Sequence, residues 1–306
     1  MSARAPGLWV GWRAVVRVAC GLVLLASMAA GHAADAVLWA PNAPATGIVN
    51  RADWLEDPSG QLDLTGARQA PGWQRGTGNA FSFGYSASSF WVRWRIENAS
   101  DLPGQAIIDL GQPRQDYARW HVLRHSGTKV EQVQSGDRLP FASQPLPLRN
   151  IALPVQLAPR EQVEVWVRLS THDGLYEALP VQLYTRAGFE HARDIETKVL
   201  MAFFGGVLAL GLYNLLLCIA TRQAAFGHYA HYIAWFLMWN VALRGYAWQH
   251  LWPNAPAFNN DFVTLTTAGI FATVGVFAIS YLRMQEHVSR PWRVAVQVFI
   301  ALNIGD

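Results

Sequence analysis

The sequence is nearly without cysteine. Only Cys20 and Cys218 occur in 306 residues. Neither lies between residues 35 and 190, so no disulfide braces that segment. A stretch of about 155 residues buries enough apolar surface to do without one. Metal and catalytic constellations are missing too. His121 and His125 are four apart, but they fall on a strand and its turn, with no third ligand close in sequence; no metal is expected. His172-Asp173 reads as a turn with no serine or cysteine nucleophile nearby, so neither a catalytic residue nor a cofactor is expected. Net charge is also scarce. The formal charge is +3, yet three of the 24 basic residues and none of the 21 acidic ones fall in residues 1–34. The remainder is neutral and offers no basic surface to nucleic acid.

Apolar residues are abundant, at 52%, and unevenly spread. Residues 199–220 (VLMAFFGGVLALGLYNLLLCIA) carry no charge. At ~1.5 Å per residue they cover about 33 Å, enough for a bilayer core of roughly 30 Å. A more aromatic span follows at 224–243, a third at 262–282, and a fourth begins at 294. The reading expects a membrane bundle that continues past Asp306. Residues 1–34 read as a signal peptide: Arg4, Arg13 and Arg17 precede an apolar run over 18–30, with small residues around Ala33. Arg222 follows the first span, and Arg283, Arg290 and Arg293 follow the third. Arg244 alone lies between the second and third. This bias puts the first and third loops inside and the N-terminal domain outside.

Within the spans, Tyr213, Asn214, His228, His231 and Asn240 are the polar candidates for helix packing or for a switch, with Asn214 in reach of a partner on the second span. Gly205-Gly206 and Gly211 would let helices approach. The loop 245–261 (GYAWQHLWPNAPAFNND) reads as an aromatic interfacial belt, or as a docking surface for the exported domain.

Residues 35–190 read as one β domain. FWVRWRIEN (90–98) alternates Phe90, Val92, Trp94 and Ile96 against Trp91, Arg93, Arg95 and Glu97, the pattern of a half-buried antiparallel strand. Residues 98–104 form a turn and 105–111 a second strand. Residues 118–124 and 129–134 flank a hairpin turn at 125–128. EQVEVWVRLS (161–170) alternates again, and 179–184 makes a last strand. A β-sandwich or jelly roll follows, joined to the first span by a short helical connector over 187–198. Trp94 and Trp166 are expected in the core. If the strands 90–98 and 118–124 are neighbours, Trp91, Arg93, Arg95, Arg119 and His121 share a solvent-facing surface able to bind a small ligand, with Trp73 at its rim.

FFGGVLALGLYNLLL with its Tyr213-Asn214 pair, GYAWQHLWPNAPAFNN with Trp252-Pro253, FWVRWRIENAS, Asp116-Tyr117 and SGDRLPF (135–141) together resemble one bacterial group. It is the seven-transmembrane receptors with diverse intracellular signalling modules, with a type-2 extracellular domain. The resemblance covers about residues 40–306. It implies a multidomain membrane protein: an all-β jelly-roll ectodomain similar to carbohydrate-binding modules, then an α-helical transmembrane bundle. It implies a multi-pass protein of the bacterial inner membrane, its N-terminal domain periplasmic, sensing a small ligand such as a carbohydrate. It also implies a cytoplasmic signalling module, a kinase or cyclase, that these residues do not include. A homodimer fits outputs that work in pairs. A membrane-anchored envelope assembly protein is the alternative. A transporter is disfavoured by the lack of ionisable groups at mid-depth.

Overall fold

The structure, a computed structural model, describes residues 36–124 and 129–282. The signal peptide, the turn at 125–128, Arg283, Arg290, Arg293 and the fourth span lie outside the described residues.

Among the described residues thirteen strands build the ectodomain: β1 (Val37–Trp39), β2 (Thr46–Gly47), β3 (Asp53–Asp57), β4 (Gln74–Arg75), β5 (Gly84–Tyr85), β6 (Ser89–Asn98), β7 (Gly104–Asp109), β8 (Tyr117–Arg124), β9 (Lys129–Ser135), β10 (Ala152–Leu157), β11 (Gln162–Ser170), β12 (Leu175–Tyr176) and β13 (Gln182–Thr185). A large antiparallel sheet runs β4-β3-β6-β11-β8-β9, and β1 joins β6 in parallel beyond the end of β3. A smaller sheet runs β10-β7-β13-β2, and β5 pairs with β12. A short helix, α1 (Leu64–Gln69), lies between β3 and β4.

The two sheets face each other across one core. Val92, Trp94 and Ile96 of β6 and Val163, Val165 and Val167 of β11 meet Ile108 of β7, Val155 of β10 and Leu183 of β13. The period-2 alternation in the sequence puts these side chains on one face. The three indoles of this core have their N–H groups satisfied. Trp94 donates to the Ile48 carbonyl (3.1 Å), Trp120 to Ser135 Oγ (2.9 Å) and Trp39 to the Tyr184 carbonyl (3.2 Å). The turn after β6 is clamped by Asn98, whose amide donates to the carbonyls of Leu102 and Ala158 and whose Oδ1 accepts from Ser100.

Four helices follow among the described residues: α2 (Arg186–Thr221), α3 (Ala224–Leu243), α4 (Tyr246–His250) and α5 (Pro256–Tyr281). α2 and α5 are long and apolar enough to cross a membrane by length and composition. The connector expected over 187–198 is not a separate element. Thr185 caps α2 by accepting from the Gly188 amide (3.1 Å), and the helix runs unbroken for 36 residues, about 54 Å at ~1.5 Å each. Its first three turns therefore stand clear of the apolar stretch. They seat Phe189 among Ile107, Leu146, Ala152 and Tyr184, on the outer face of the smaller sheet.

α3 packs between α2 and α5. Its close approaches use Gly211, as expected, and Gly269, but not the expected pair Gly205-Gly206. A Cβ on Gly205 or Gly206 would meet nothing within 4 Å, whereas one on Gly211 would lie 2.8 Å from Ile233 and one on Gly269 2.2 Å from Trp235.

Candidate functional site

The outer face of the large sheet was the expected ligand surface. β11 lies between β6 and β8, so those two strands are not neighbours. The register aligns Arg93, Trp166 and His121 in one row and Trp91, Arg168 and Arg119 in the next. Trp166 therefore faces outward, away from the main core, because Val165 and Val167 on either side of it point in.

This face is covered. Trp91 is 1% exposed and His121 6%. Asp63 caps α1 by accepting from the Gly66 amide (2.7 Å) and so directs the helix across the sheet, where Ala67 packs with Leu55, Trp91, Leu123 and Trp166. Trp73 donates to the Ala67 carbonyl (3.2 Å) and stands edge-on to Trp166 at 5.2 Å. Arg93 sits beneath it, 4.3 Å from the Trp73 ring centre and 3.1 Å from Asp53. Trp91 and His121 are thus buried beneath this cover, and Arg93 is half-buried under Trp73. Burial, with Arg119 nearby, lowers the His121 pKa and keeps it neutral at pH 7. Arg95 pairs with Glu164 at 3.4 Å, and Arg119 stays exposed.

In the helices, Asn214 and Asn240 are buried, but each amide donates to its own helix, to the Leu210 and Phe236 carbonyls (2.9 Å each). Among the described residues Asn214 makes no hydrogen bond to the second span. His231 accepts from Trp235 within α3 (3.2 Å), His228 is half-buried, and Tyr213 is 58% exposed.

Polar side chains converge instead where the sandwich meets the helix ends. The segment between β9 and β10 reaches down to α4. The Phe141 amide donates to the Pro253 carbonyl (2.8 Å), Trp248 Nε1 donates to the Leu139 carbonyl (3.2 Å), and the two rings meet edge to face at 5.0 Å. Trp248 is fully buried, so it belongs to a contact between the helix ends and the sandwich and not to an aromatic belt. Gly245 is required at this point: its φ is +76°, and a Cβ would lie 3.0 Å from Pro113 and 3.3 Å from Arg149.

Arg149 joins the parts. Its guanidinium pairs with Glu196 on α2, donates to the Arg244 carbonyl at the end of α3 (3.2 Å) and lies 5.0 Å from the Tyr246 ring centre on α4. Glu196 is shared with Arg193 (2.7 Å), which also approaches Asp109 at 3.6 Å. Burial raises the Asp109 pKa, and Arg193 opposes that shift.

Beside this joint is a cleft of about 320 Å³ between the sandwich and the first turns of α5. One wall carries Asp116, Asp137, Arg138 and Asp173, and the other carries Asn260 and Asp261. Arg138 pairs with Asp116 (3.3 Å), and Arg114 pairs with Glu177. Asp137 is 4% exposed, and its Oδ1 has no hydrogen-bond partner among the described residues. Burial, reinforced by the Asp116 charge and by a hydrogen bond to that carboxylate from the protonated form, raises its pKa to about 7. Among the described residues no three His, Cys, Asp or Glu side chains lie close enough to hold a metal ion.

None of Arg149, Glu196, Arg114 or Asp137 stood out in the sequence as a site residue. The available signal was positional: Asp116-Tyr117, SGDRLPF and Trp252-Pro253, the fragments that carried the family resemblance, all fall at this joint. A family model described as 7TMR-DISM extracellular 2 matches residues 50–185, and one described as 7TM diverse intracellular signalling matches residues 196–305. No curated protein matches the chain.

Proposed function

We propose how this chain, which belongs to the seven-transmembrane receptors with diverse intracellular signalling modules, passes a signal. It is a membrane sensory receptor with an extracellular N-terminal domain. A small external ligand changes the seating of the sandwich on the helix ends, and the helices carry that change to a cytoplasmic output module. The observation that supports this is Arg149, one ectodomain side chain engaged with α2, the end of α3 and α4 together. An anchor needs only a tether. A joint of buried, directional contacts gives two seatings different energies, which a switch requires.

A carbohydrate-like ligand on the large sheet would meet Arg119, Arg95 and the edge of Trp73, and would have to displace α1 to reach Trp91. The test is hydrogen exchange on the full chain in lipid nanodiscs, with and without a panel of neutral sugars. The receptor reading expects protection in the ectodomain together with altered exchange over residues 186–198 and 245–258. Protection confined to the sandwich would favour an anchored envelope-binding or assembly protein.

A further inference from the structure

We propose that residues 136–144 form a proton-operated clasp, whose seating on the helix ends weakens as the external pH rises and Asp137 loses the proton it shares with Asp116. The segment is a closed loop: Gln144 Nε2 donates back to the Gly136 carbonyl (3.1 Å). Its tip grips the helix ends, through the Leu139 carbonyl on Trp248 and the Phe141 amide on Pro253. Its root lies against the chain entering β8. There the Asp137 amide donates to the Gln115 carbonyl (3.0 Å) and the Arg138 amide to the Asp116 carbonyl (3.4 Å). Gly136 allows that approach, since its φ is +147° and a Cβ would collide with the Asp116 carbonyl. Backbone packing thus presses two carboxyl groups together, two residues from the Trp248 contact.

Only one of the pair is compensated. Asp116 pairs with Arg138 and accepts from the His172 amide (2.5 Å). Asp137 is 4% exposed and, when protonated, hydrogen-bonds to Asp116. Once ionised it is a buried anion beside a carboxylate, and water reaches it only when the clasp lifts. The surrounding charges do not cancel it. Arg138 is paired with Asp116 and Arg114 with Glu177, although both arginines oppose the shift. Asp173 on the sandwich and Asp261 on α5 are further acids on the cleft walls. His172, next to Asp173, is exposed, and Arg244 at the end of α3 acts on Arg114. With a pKa raised to about 7 when seated and near 4 when free, Asp137 favours seating most at low pH. Seating then weakens by up to tenfold per pH unit between about 4 and 7 and levels off above. Because the loop is closed, a loss at its root reaches Leu139 and Phe141. The clasp's part in signalling rests on the function proposed above, but its pH response does not.

The test is hydrogen exchange on the full chain in nanodiscs at pH 5 and pH 8, read as protection factors so that the intrinsic pH dependence of exchange drops out. Protection over residues 139–144 should fall at least tenfold in the wild type and stay below that of β11 at both pH values. In Asp137→Asn, whose amide still donates to Asp116, it should change less than threefold. His172→Gln should keep the wild-type fall. Asp116→Asn removes the neighbouring charge and should move the midpoint of the fall to lower pH, a second reading should Asp137→Asn not fold. Wild-type protection within threefold at the two pH values would overturn the proposal. So would an undiminished fall in Asp137→Asn, loss of the fall in His172→Gln, or protection equal to that of β11, which would mean global unfolding and not lifting. Failure of the clasp would leave the receptor reading standing. A working clasp with unchanged exchange over residues 186–198 would support the clasp and count against the receptor reading.

Discussion

Removing Arg149 should undock the sandwich from the helix ends without unfolding it. The side chain is 9% exposed and its partner Glu196 31%. Arg149→Ala loses a charge-assisted hydrogen bond to the Arg244 carbonyl, worth ~1.5–3 kcal/mol. It also loses a half-screened ion pair of about 1 kcal/mol and a cation–π contact of ~0.5–1 kcal/mol with Tyr246. Glu196 keeps Arg193, so no buried charge is stranded. A net loss of about 3 kcal/mol would shift the docking equilibrium by roughly 10²-fold. The Phe141 amide, held by the Pro253 carbonyl, reports it. In hydrogen exchange by mass spectrometry on the full chain in nanodiscs, residues 139–150 should exchange up to about 10²-fold faster, while β11 keeps its protection. Arg149→Lys, which retains the charge but not the fork, should fall between. Exchange within threefold of wild type in Arg149→Ala would refute the joint. Equal acceleration in β11 would show that Arg149 supports the fold and not the docking.

Asp137 should make stability fall as pH rises. Unfolded, it loses its proton near pH 4, and folded near 7. Its contribution is fully present below about 4 and lost by about 7, near 4 kcal/mol at most over three pH units. Denaturant midpoints at pH 4.5 and 8 should differ less in Asp137→Asn than in wild type, and an equal difference would sink the assignment. Gly269→Ala should loosen the α3–α5 contact, since the new Cβ would meet the Trp235 ring at 2.2 Å; overpacking of this kind costs roughly 1–3 kcal/mol, and an unchanged melting temperature of the full chain would contradict it. Trp73→Ala should uncover the large sheet at a cost of roughly 2 kcal/mol, below the 3–5 of a fully buried tryptophan. Hydroxyl-radical oxidation of Trp166 should then rise, and unchanged labelling would show that α1 alone makes the cover.

Alternation and apolar length were local signals, and they carried far. The strand over 90–98 falls in β6, those over 118–124 and 161–170 match β8 and β11 to within a residue, the span at 199–220 lies within α2, and that at 262–282 overlaps α5 up to Tyr281. A period of 2 or a charge-free run records which faces avoid water, whatever the neighbours are. Strand order is not recorded that way. The sequence could not say that β11 separates β6 from β8, nor that α1, six residues with no long periodicity, covers the face that alternation marked as polar. Trp91 and Arg93 look alike in the sequence as outward residues, yet one is sealed against Trp166 and the other is held between Asp53 and Trp73. The sequence alone determined the composition of the two parts and their order. Only the tertiary structure decided that Arg149 and Trp248, roughly a hundred residues apart along the chain, belong to one joint, with Asp137 in the cleft beside it. Burial, pairing and the resulting pKa depend on which distant side chains displace water from each other.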